Sequence, residues 1–426
     1  MKTLLSSVCM LLACVTSLQA QSSSDSLSVL AQYQKFIQVY TAKDYSQCVN
    51  LGTQVQKRLE HPNVLYKLAQ CQCQSGLTEQ SLALLDQLAV LGLPYQPEEN
   101  ENFQALTTHK NFLKIREQFA QNRQPVQNSS KAFELSDPLL IPEGIAATSQ
   151  GEQFFIGSLA KNKIASYTPL AGEHDWVASQ QDGLFSVLGM KVSKDGQSLW
   201  VCSASERDSL NGCSGIFQYD ISTGKLRHKY LLDNKTGAHL FNDIVVTRKN
   251  AVYFTDSKGG QVLTIQPNTN QIVPLLKEVD FIYPNGIAMD EKEENLYVAD
   301  LTGLTRIELT TGNYYRMATN QVTYLNGIDG LYIYKGTLVA IQDSGNNDDR
   351  IIRLYLDKDK KKLVKAQILQ SFHPDFVIPT TGTIVGDEFF YIANSQLRNL
   401  NPDGSYTHSE KLKKPLILKL KLSPKI

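Results

Sequence analysis

The chain has 426 residues, 42% of them hydrophobic, and its 42 basic residues (Lys and Arg) balance 42 acidic ones. This length exceeds what one compact core normally organises, so two domains or one large repeat fold are expected. Because no basic stripe accompanies the zero net charge, nucleic acid and anionic membrane surfaces are poor candidates as partners.

The first predicted element is a secretory signal peptide at residues 1–20. Lys2 precedes an apolar core, and Ala20 precedes the polar run QSSSDS. A lipoprotein cleavage box at LLAC, with Cys14 as the lipidated residue, is the second interpretation, because Leu12 fits such a box poorly. No later stretch reaches the roughly 18 apolar residues of a membrane span. We therefore expect a secreted or periplasmic protein.

Residues 21–124 are predicted to form a small all-α domain of helical repeats. The segment is rich in Gln and Leu, and its apolar residues recur at helical spacing. Residues 61–94 resemble a tetratricopeptide repeat, with a turn at Gly76 and matching positions at Tyr66, Leu68 and Ala69. A degenerate repeat with its turn at Lys43–Asp44 precedes it, and helices at 98–108 and 110–121 are expected to cap the stack. The polar, Pro-containing segment 125–130 is the predicted linker.

Residues 131–426 contain short strands rich in Val, Ile, Tyr and Phe. Six similar segments open on the motifs PEGIAAT, LGMKVS, FNDIVVT, PNGIAMD, IDGLYIY and TTGTIVG, spaced 43 to 54 residues apart. A repeat of this length, built from short strands, is typical of a propeller blade. We therefore predict an all-β six-bladed β-propeller, closed by KAFEL (131–135) pairing beside PLILKLKL (415–422).

The inner strand of each blade lines the central channel of a propeller and begins at one mouth. The residues opening these six strands are Glu143, Leu188, Asn242, Asn285, Asp329 and Thr381. Two carboxylates and two amides suit Ca²⁺ or another divalent cation such as Mg²⁺, Mn²⁺ or Zn²⁺. Asn and Asp also commonly begin strands after turns, but their shared register favours a metal site formed by Glu143, Asn242, Asn285 and Asp329. Gly286 is expected to permit a sharp turn there.

These motifs give residues 138–425 a specific family resemblance. PEGIA, FNDIVV, PNGIAMD and DGLYI resemble the inner-strand motifs of the regucalcin/gluconolactonase (senescence-marker-protein) family, and VYFTDS resembles its strictosidine-synthase-like relatives; paraoxonases are also wider relatives. The resemblance implies a calcium ion on the four mouth residues and hydrolysis of a lactone or related ester, with Asp329 as general base. The arginine that sugar lactonases carry beside Asn242 is absent, because Leu240 and Phe241 stand there, so sugar-acid lactones are not the expected substrates.

Further residues are candidates for the chemistry. Glu143 is the second candidate catalytic base, and Asn242 a substrate contact. His239, three residues before Asn242, is a candidate proton shuttle, although a structural histidine is the alternative. Arg207 lies in the loop 203–215, which is expected on the metal face; Glu206 and Arg350 are further candidates, with solvated loop charge as the alternative for all three.

Five cysteines remain after signal cleavage, an odd number. Cys202 ends one predicted strand and Cys213 begins the next, so we predict a disulfide between them in an oxidising compartment. Cys71 and Cys73 are predicted to be buried thiols on a helix.

Two functions are compatible with these features. The first is a metal-dependent hydrolase acting on a small-molecule lactone or ester. The second is a non-catalytic, metal-stabilised scaffold whose helical repeats bind a protein or ligand, since such repeats present concave interaction surfaces. The fold alone does not choose between them.

Overall fold

A computed structural model of the protein describes residues 24–205, 213–233, 237–277, 279, 281–319, 322–343, 348–401 and 403–422. The predicted signal peptide and Cys14 lie outside these residues. No helix in the described part of the chain has the length and apolar character needed to cross a membrane.

The N-terminal part is a stack of helices. Its members are α1 (Ser24–Thr41), α2 (Tyr45–Gln56), α3 (Pro62–Gln74), α4 (Thr78–Val90), 3₁₀ helices at Pro97–Glu99 and Glu101–Leu106, and α5 (Lys110–Asn122). The expected helix at 98–108 is therefore two 3₁₀ segments. Asp44 caps α2 by accepting from the Gln47 amide, and Gly76 makes the α3–α4 turn at φ 73°. That these hairpins are tetratricopeptide repeats stays a prediction.

A disulfide joins the helices that the sequence assigned to two repeats. Cys48 of α2 bonds to Cys71 of α3, with a Cα–Cα distance of 6.0 Å. Both sulfurs lie in a fully buried cluster with Phe36, Val55 and Leu68. The prediction that Cys71 is a free thiol was therefore wrong, whereas Cys73 is a buried free thiol.

After the helices, the described residues form six four-stranded antiparallel sheets. The strands are β1 (Ser130–Glu134), β2 (Pro142–Ala147), β3 (Phe154–Ser158), β4 (Ile164–Thr168), β5 (Gly172–Val177), β6 (Ser186–Val192), β7 (Ser198–Ala204), β8 (Cys213–Asp220), β9 (Leu226–Asp233), β10 (Phe241–Val246), β11 (Val252–Asp256), β12 (Gln261–Ile265), β13 (Ile272–Pro274), β14 (Ile287–Met289), β15 (Asn295–Asp300), β16 (Gly303–Glu308), β17 (Tyr314–Arg316), β18 (Ile328–Tyr334), β19 (Thr337–Gln342), β20 (Arg350–Leu356), β21 (Leu363–Ser371), β22 (Gly382–Val385), β23 (Glu388–Ile392) and β24 (Leu416–Lys421). Short 3₁₀ turns at Gln181–Gly183, Leu397–Asn399 and Ser409–Lys411 lie between them.

Each sheet is one blade, so the predicted six-bladed β-propeller with preceding helices is confirmed. Blades one to five follow chain order from β2–β5 to β18–β21, and blade six contains β22, β23, β24 and β1. The N-terminal strand β1 pairs with β24, with Ser130 opposite Lys419. This pairing closes the ring as the sequence predicted.

The inner strands share a distortion close to the mouth. In four blades the pairing register shifts next to the residue that opens the strand, for example between Pro142 and Ile145 and between Ile328 and Leu331. The following glycine permits close approach between blades, because a Cβ at Gly286 would lie 2.3 Å from the Asp329 carbonyl. The sharp turn expected at Gly286 occurs instead at Tyr283, whose φ is 55°.

The helical stack packs on the propeller edge that bears the channel mouth. Ile282 and Leu301 of blade four join the α1–α3 cluster, and Tyr324, before β18, joins the α4–α5 cluster. All three lie where inner strands begin or second strands end. Part of the predicted linker also pairs with β21 of blade five, through a bridge between Val126 and Ser371. The domain boundaries stay predictions.

Candidate functional site

The four predicted ligands belong to four blades and lie at one mouth. Glu143 and Asn242 are 7% and 8% exposed, and Asn285 and Asp329 are half-buried. Glu143, Asp329 and the neighbouring Asp243 all act on the phenol of Tyr332, whose pKa is raised well above its usual value by burial and then by these carboxylates. The three carboxylates therefore lie within electrostatic range of one buried phenol.

Asp329 is the least satisfied member of this group. Its Oδ1 is buried and has no hydrogen-bond partner. Burial raises its pKa to about 7; a hydrogen bond from the Asn285 side chain opposes this, and the nearby Asp343 and Asp243 add to it. A buried carboxylate oxygen that faces other acids and lacks a donor is an environment that favours a cation.

Asp243 occupies the position that a glycine holds in other blades. Its carboxylate accepts hydrogen bonds from the Ile244 amide at 2.8 Å and from the Ile287 amide of blade four at 3.1 Å. Burial raises the pKa of Asp243 to about 6, and the Lys191 ammonium counteracts this. Burial in turn lowers the pKa of Lys191. The sequence prediction missed this pair in the channel wall.

Three consecutive residues at the end of β11 hold the mouth residues in place. Thr255 donates to the Asn285 carbonyl at 2.8 Å and accepts from the Asp243 amide at 3.0 Å. Ser257 accepts from Asn242 Nδ2 at 3.0 Å. Such supporting hydrogen bonds fix the direction of metal-ligating side chains. The motif VYFTDS was recognised from the sequence, but these contacts were not.

Asp256, between them, holds His239. The Asp256 carboxylate is fully buried, lies 2.5 Å from His239 Nδ1, and accepts from the Leu240 and Gly259 amides at 2.9 and 3.0 Å. Since the carboxylate is the acceptor, Nδ1 carries the proton in neutral His239 and Nε2 is left as an acceptor. His239 is thus an oriented histidine near Asn242.

The other sequence candidates have different positions. Arg207 and Glu206 lie outside the described residues. Arg350 is 4% exposed; its guanidinium donates to Gln342 and Thr323 at 2.9 Å and lies over the Tyr324 ring. Arg350 is therefore buried, so the solvated-charge alternative was wrong for it, and its role as a substrate contact stays a prediction.

The predicted disulfide between Cys202 and Cys213 is not formed, and both are free thiols. The antiparallel register places Cys202 opposite Ile216. Cys213 lies three residues away along β8, about 10 Å at the usual strand rise, which is beyond the reach of a disulfide.

The described residues contain no group of three or more His, Cys, Asp or Glu side chains arranged to hold a metal ion. The predicted ligand set contains two carboxylates and two amides. It therefore falls short of three such side chains and is not the kind of group that this statement concerns. Its oxygen-only chemistry and the unpartnered Asp329 Oδ1 fit a hard cation such as Ca²⁺.

No protein-family model and no curated protein matches the chain. Among solved structures, a gluconolactonase from Xanthomonas campestris is similar at 14% identity and a TM-score of 0.45, over 71% of this chain and 99% of that one. Regucalcin from Agrobacterium tumefaciens, a calcium-binding protein, is similar at 13% identity and a TM-score of 0.48, over 68% and 93%. A PQQ-bound aldose sugar dehydrogenase from Streptomyces coelicolor reaches 14% and 0.47, over 70% and 99%.

These proteins have different named functions, so the similarity concerns the fold alone. The resemblance to regucalcin and gluconolactonase propellers that the motifs predicted is confirmed at that level. The assignment of activity and metal depends on the residues of this chain.

Proposed function

We propose that the protein is a divalent-metal-dependent hydrolase of a lactone or related ester, with Ca²⁺ as its ion, and that it acts in the periplasm or outside the cell. The observation that carries the proposal is the buried, unpartnered Oδ1 of Asp329 among three other oxygen-bearing residues of the mouth. The Cys48–Cys71 disulfide is compatible with an oxidising compartment.

Glu143, Asn242, Asn285 and Asp329 would hold the ion. When bound, it would supply a Lewis acid that polarises the substrate carbonyl and acidifies a bound water. The protein's own residues would position the substrate and remove the proton of the attacking water. Asp329 and Glu143 are the carboxylates of this set that could accept the proton of the attacking water.

His239 would relay protons at the rim of the site. Its Nδ1 proton is held by Asp256, so Nε2 is free to receive a proton from the water or to return one to the leaving alcohol. Asn242 would contact the substrate as well as the ion. Arg207 is the proposed further substrate contact.

An assay of the full-length protein tests the proposal. Hydrolysis of a panel of lactones and aryl esters is measured with Ca²⁺ and with a chelator. We expect turnover that requires the cation and that falls at least a hundredfold in Asp329→Asn at saturating Ca²⁺, since removal of a catalytic base costs about 10²- to 10⁴-fold. Turnover that is equal with chelator would overturn the metal-dependent hydrolase.

A non-catalytic scaffold is the second candidate. The packing of the helical stack against the mouth edge of blades four and five favours it, because stacked helices offer an interaction surface beside the mouth. Under this alternative Ca²⁺ raises the melting temperature, but no substrate of the panel is hydrolysed.

A further inference from the structure

The side chain of Tyr332 in β18 turns back towards the mouth. It is 6% exposed and comes three residues after Asp329. Its hydroxyl accepts a hydrogen bond from the Gly382 amide of blade six at 2.6 Å, and a Cβ at Gly330 would lie 2.5 Å from it. Gly330 and Gly382 directly follow Asp329 and Thr381, which open their strands. The hydroxyl therefore lies in the layer just below the residues of the mouth.

The Tyr332 ring also borders the central channel. The Lys191 ammonium of blade two lies 5.2 Å from the centroid of the ring. Consecutive blades contact each other around the ring, so blades two and five are opposite each other. The contact between Lys191 and Tyr332 therefore spans the channel. Since both residues come three positions after the residue that opens their strand, they form a floor below the mouth.

The hydroxyl proton of Tyr332 is available to a ligand. The Gly382 amide uses a lone pair of the oxygen, which leaves the O–H group as a donor. This hydroxyl makes no other hydrogen bond to the part of the chain that the structure describes. Burial and then Asp243, Asp329 and Glu143, which belong to three different blades, raise its pKa well above the usual value. The phenol therefore stays neutral and keeps its proton at neutral pH.

The residues that open the six inner strands offer few donors of their own. The two asparagines donate to Ser257 and to Asp329, and Thr381 donates to the Glu143 carbonyl. Ionised carboxylates only accept, and a leucine side chain does neither. The hydroxyl of Tyr332 thus supplies what the mouth residues lack, a donor without an acceptor in the protein.

We propose that Tyr332 is a further catalytic residue, which donates a hydrogen bond to the carbonyl oxygen of the substrate as that oxygen becomes negatively charged. The inference rests on the proposed function and names a donor for the same site. When water adds to the carbonyl carbon, the π electron pair moves onto the carbonyl oxygen. The proton of the water goes to Asp329 or Glu143, and Tyr332 keeps its own proton. A fixed donor of this kind contributes about 10²- to 10³-fold to kcat.

Tyr332→Phe tests the inference, because it removes the hydroxyl and keeps the ring that contacts Lys191. Kinetics are measured on the full-length, Ca²⁺-loaded protein with a lactone or aryl ester of the panel. We expect kcat to fall at least a hundredfold with little change in KM, and Ca²⁺ affinity in titration calorimetry to stay at the wild-type value. Tyr334→Phe is the matched control and should retain kcat, since Tyr334 lies on the same strand and its hydroxyl donates to Asp387 at 2.6 Å.

A binding measurement makes the test independent of turnover. Phenylphosphonate carries tetrahedral, negatively charged oxygens and so resembles the addition intermediate of a benzoate ester. Calorimetry should show that it binds at least tenfold more tightly to the Ca²⁺-loaded wild type and to Tyr334→Phe than to Tyr332→Phe. Melting curves verify that each variant is folded.

Equal or undetectable phenylphosphonate binding in the wild type and Tyr332→Phe, or an unchanged kcat, would overturn the inference and leave the hydrolase in place. A loss of Ca²⁺ affinity in Tyr332→Phe would also overturn it, because the hydroxyl would then support the ion and not the substrate. If the wild type hydrolyses nothing in the panel, the phosphonate decides alone. Binding that depends on the hydroxyl then supports the donor and rejects only the hydrolase, whereas binding that does not depend on it rejects both.

Discussion

The Ser257 hydroxyl determines which way the Asn242 amide faces. Ser257 donates its one proton to the Pro284 carbonyl at 2.5 Å, because a carbonyl can only accept. Its contact with Asn242 must therefore be with the NH₂ group, at 3.0 Å. The Asn242 Oδ1 is consequently turned away from Ser257 and available to a cation.

Ser257→Ala should weaken Ca²⁺ binding by about 10- to 100-fold, as loss of a supporting hydrogen bond does in other metal sites. Titration calorimetry measures this directly. Ser158→Ala is the matched control, since Ser158 ends the second strand of blade one and donates to the Leu140 carbonyl without touching a predicted ligand. Equal affinities in the two variants would refute the orienting role.

Removing the charge of Asp329 should stabilise the metal-free protein. Asp329→Asn eliminates a buried carboxylate whose Oδ1 has no donor, so its melting temperature in chelator should rise by a few degrees. The wild type should gain about 2.7 kcal/mol of stability at Ca²⁺ a hundredfold above Kd, and the variant less. Asp300→Asn, at a buried acid on the same edge paired with Arg316 at 3.0 Å, should instead destabilise and leave the Ca²⁺ response unchanged. If Ca²⁺ shifts the melting temperatures of all three proteins by the same amount, the proposed metal site at Asp329 is wrong.

Loss of the Cys48–Cys71 bond should destabilise the helical stack. The bond spans 23 residues, for which chain entropy predicts about 3 kcal/mol. Denaturant melts of a Cys48→Ser, Cys71→Ser double variant test this.

Alkylation of the native, non-reduced protein should label the partly exposed Cys213 and spare the buried Cys202. A disulfide-linked Cys202–Cys213 peptide in the peptide map would contradict the assignment of both as free thiols.

His61 should make the helical stack sensitive to acid. Its Nδ1 accepts from the Asn63 amide at the start of α3, and burial lowers its pKa to about 4. Because the folded pKa lies below the unfolded value of 6.5, stability is complete above pH 6.5 and declines as the pH falls towards 4. The loss is at most about 3 kcal/mol.

His61→Asn keeps a capping acceptor and removes the titration, so its stability should change less over that interval in denaturant melts. His109→Asn is the control, because His109 caps α5 through the Asn111 amide in the same way and its side chain is 35% exposed. A wild type and His61→Asn with parallel pH profiles would refute the assignment.

The repeated blade is what made the fold and the four mouth residues predictable. Each blade buries the same inner-strand motif, so a residue such as Asn285 occupies the same place in its blade as Glu143 does in another. Repetition also predicted the pairing of β1 with β24. In these respects the sequence was sufficient.

Contacts that do not repeat could not be predicted in this way. Asp256 and His239 meet because β11 ends beside the residues that come just before β10, and nothing in their spacing indicates it. The disulfide prediction failed for a related reason, since sequence proximity of Cys202 and Cys213 ignored the strand register. The placement of α1–α5 on the mouth edge depends on Ile282, Leu301 and Tyr324. Their sequence gives no sign that they contact helices, because apolar residues of this kind also occur in loops and in the propeller core.

The pairing of β1 with β24 imposes an order on biosynthesis. β1 leaves the ribosome before any complete blade, yet its partner β24 follows all the other described strands. Blade six, and with it the closed ring, cannot form until β24 has been synthesised, so the nascent propeller carries an open strand edge while the preceding blades are made. A chain that stops short of Leu416 would lose the seam that holds the first and last blades together.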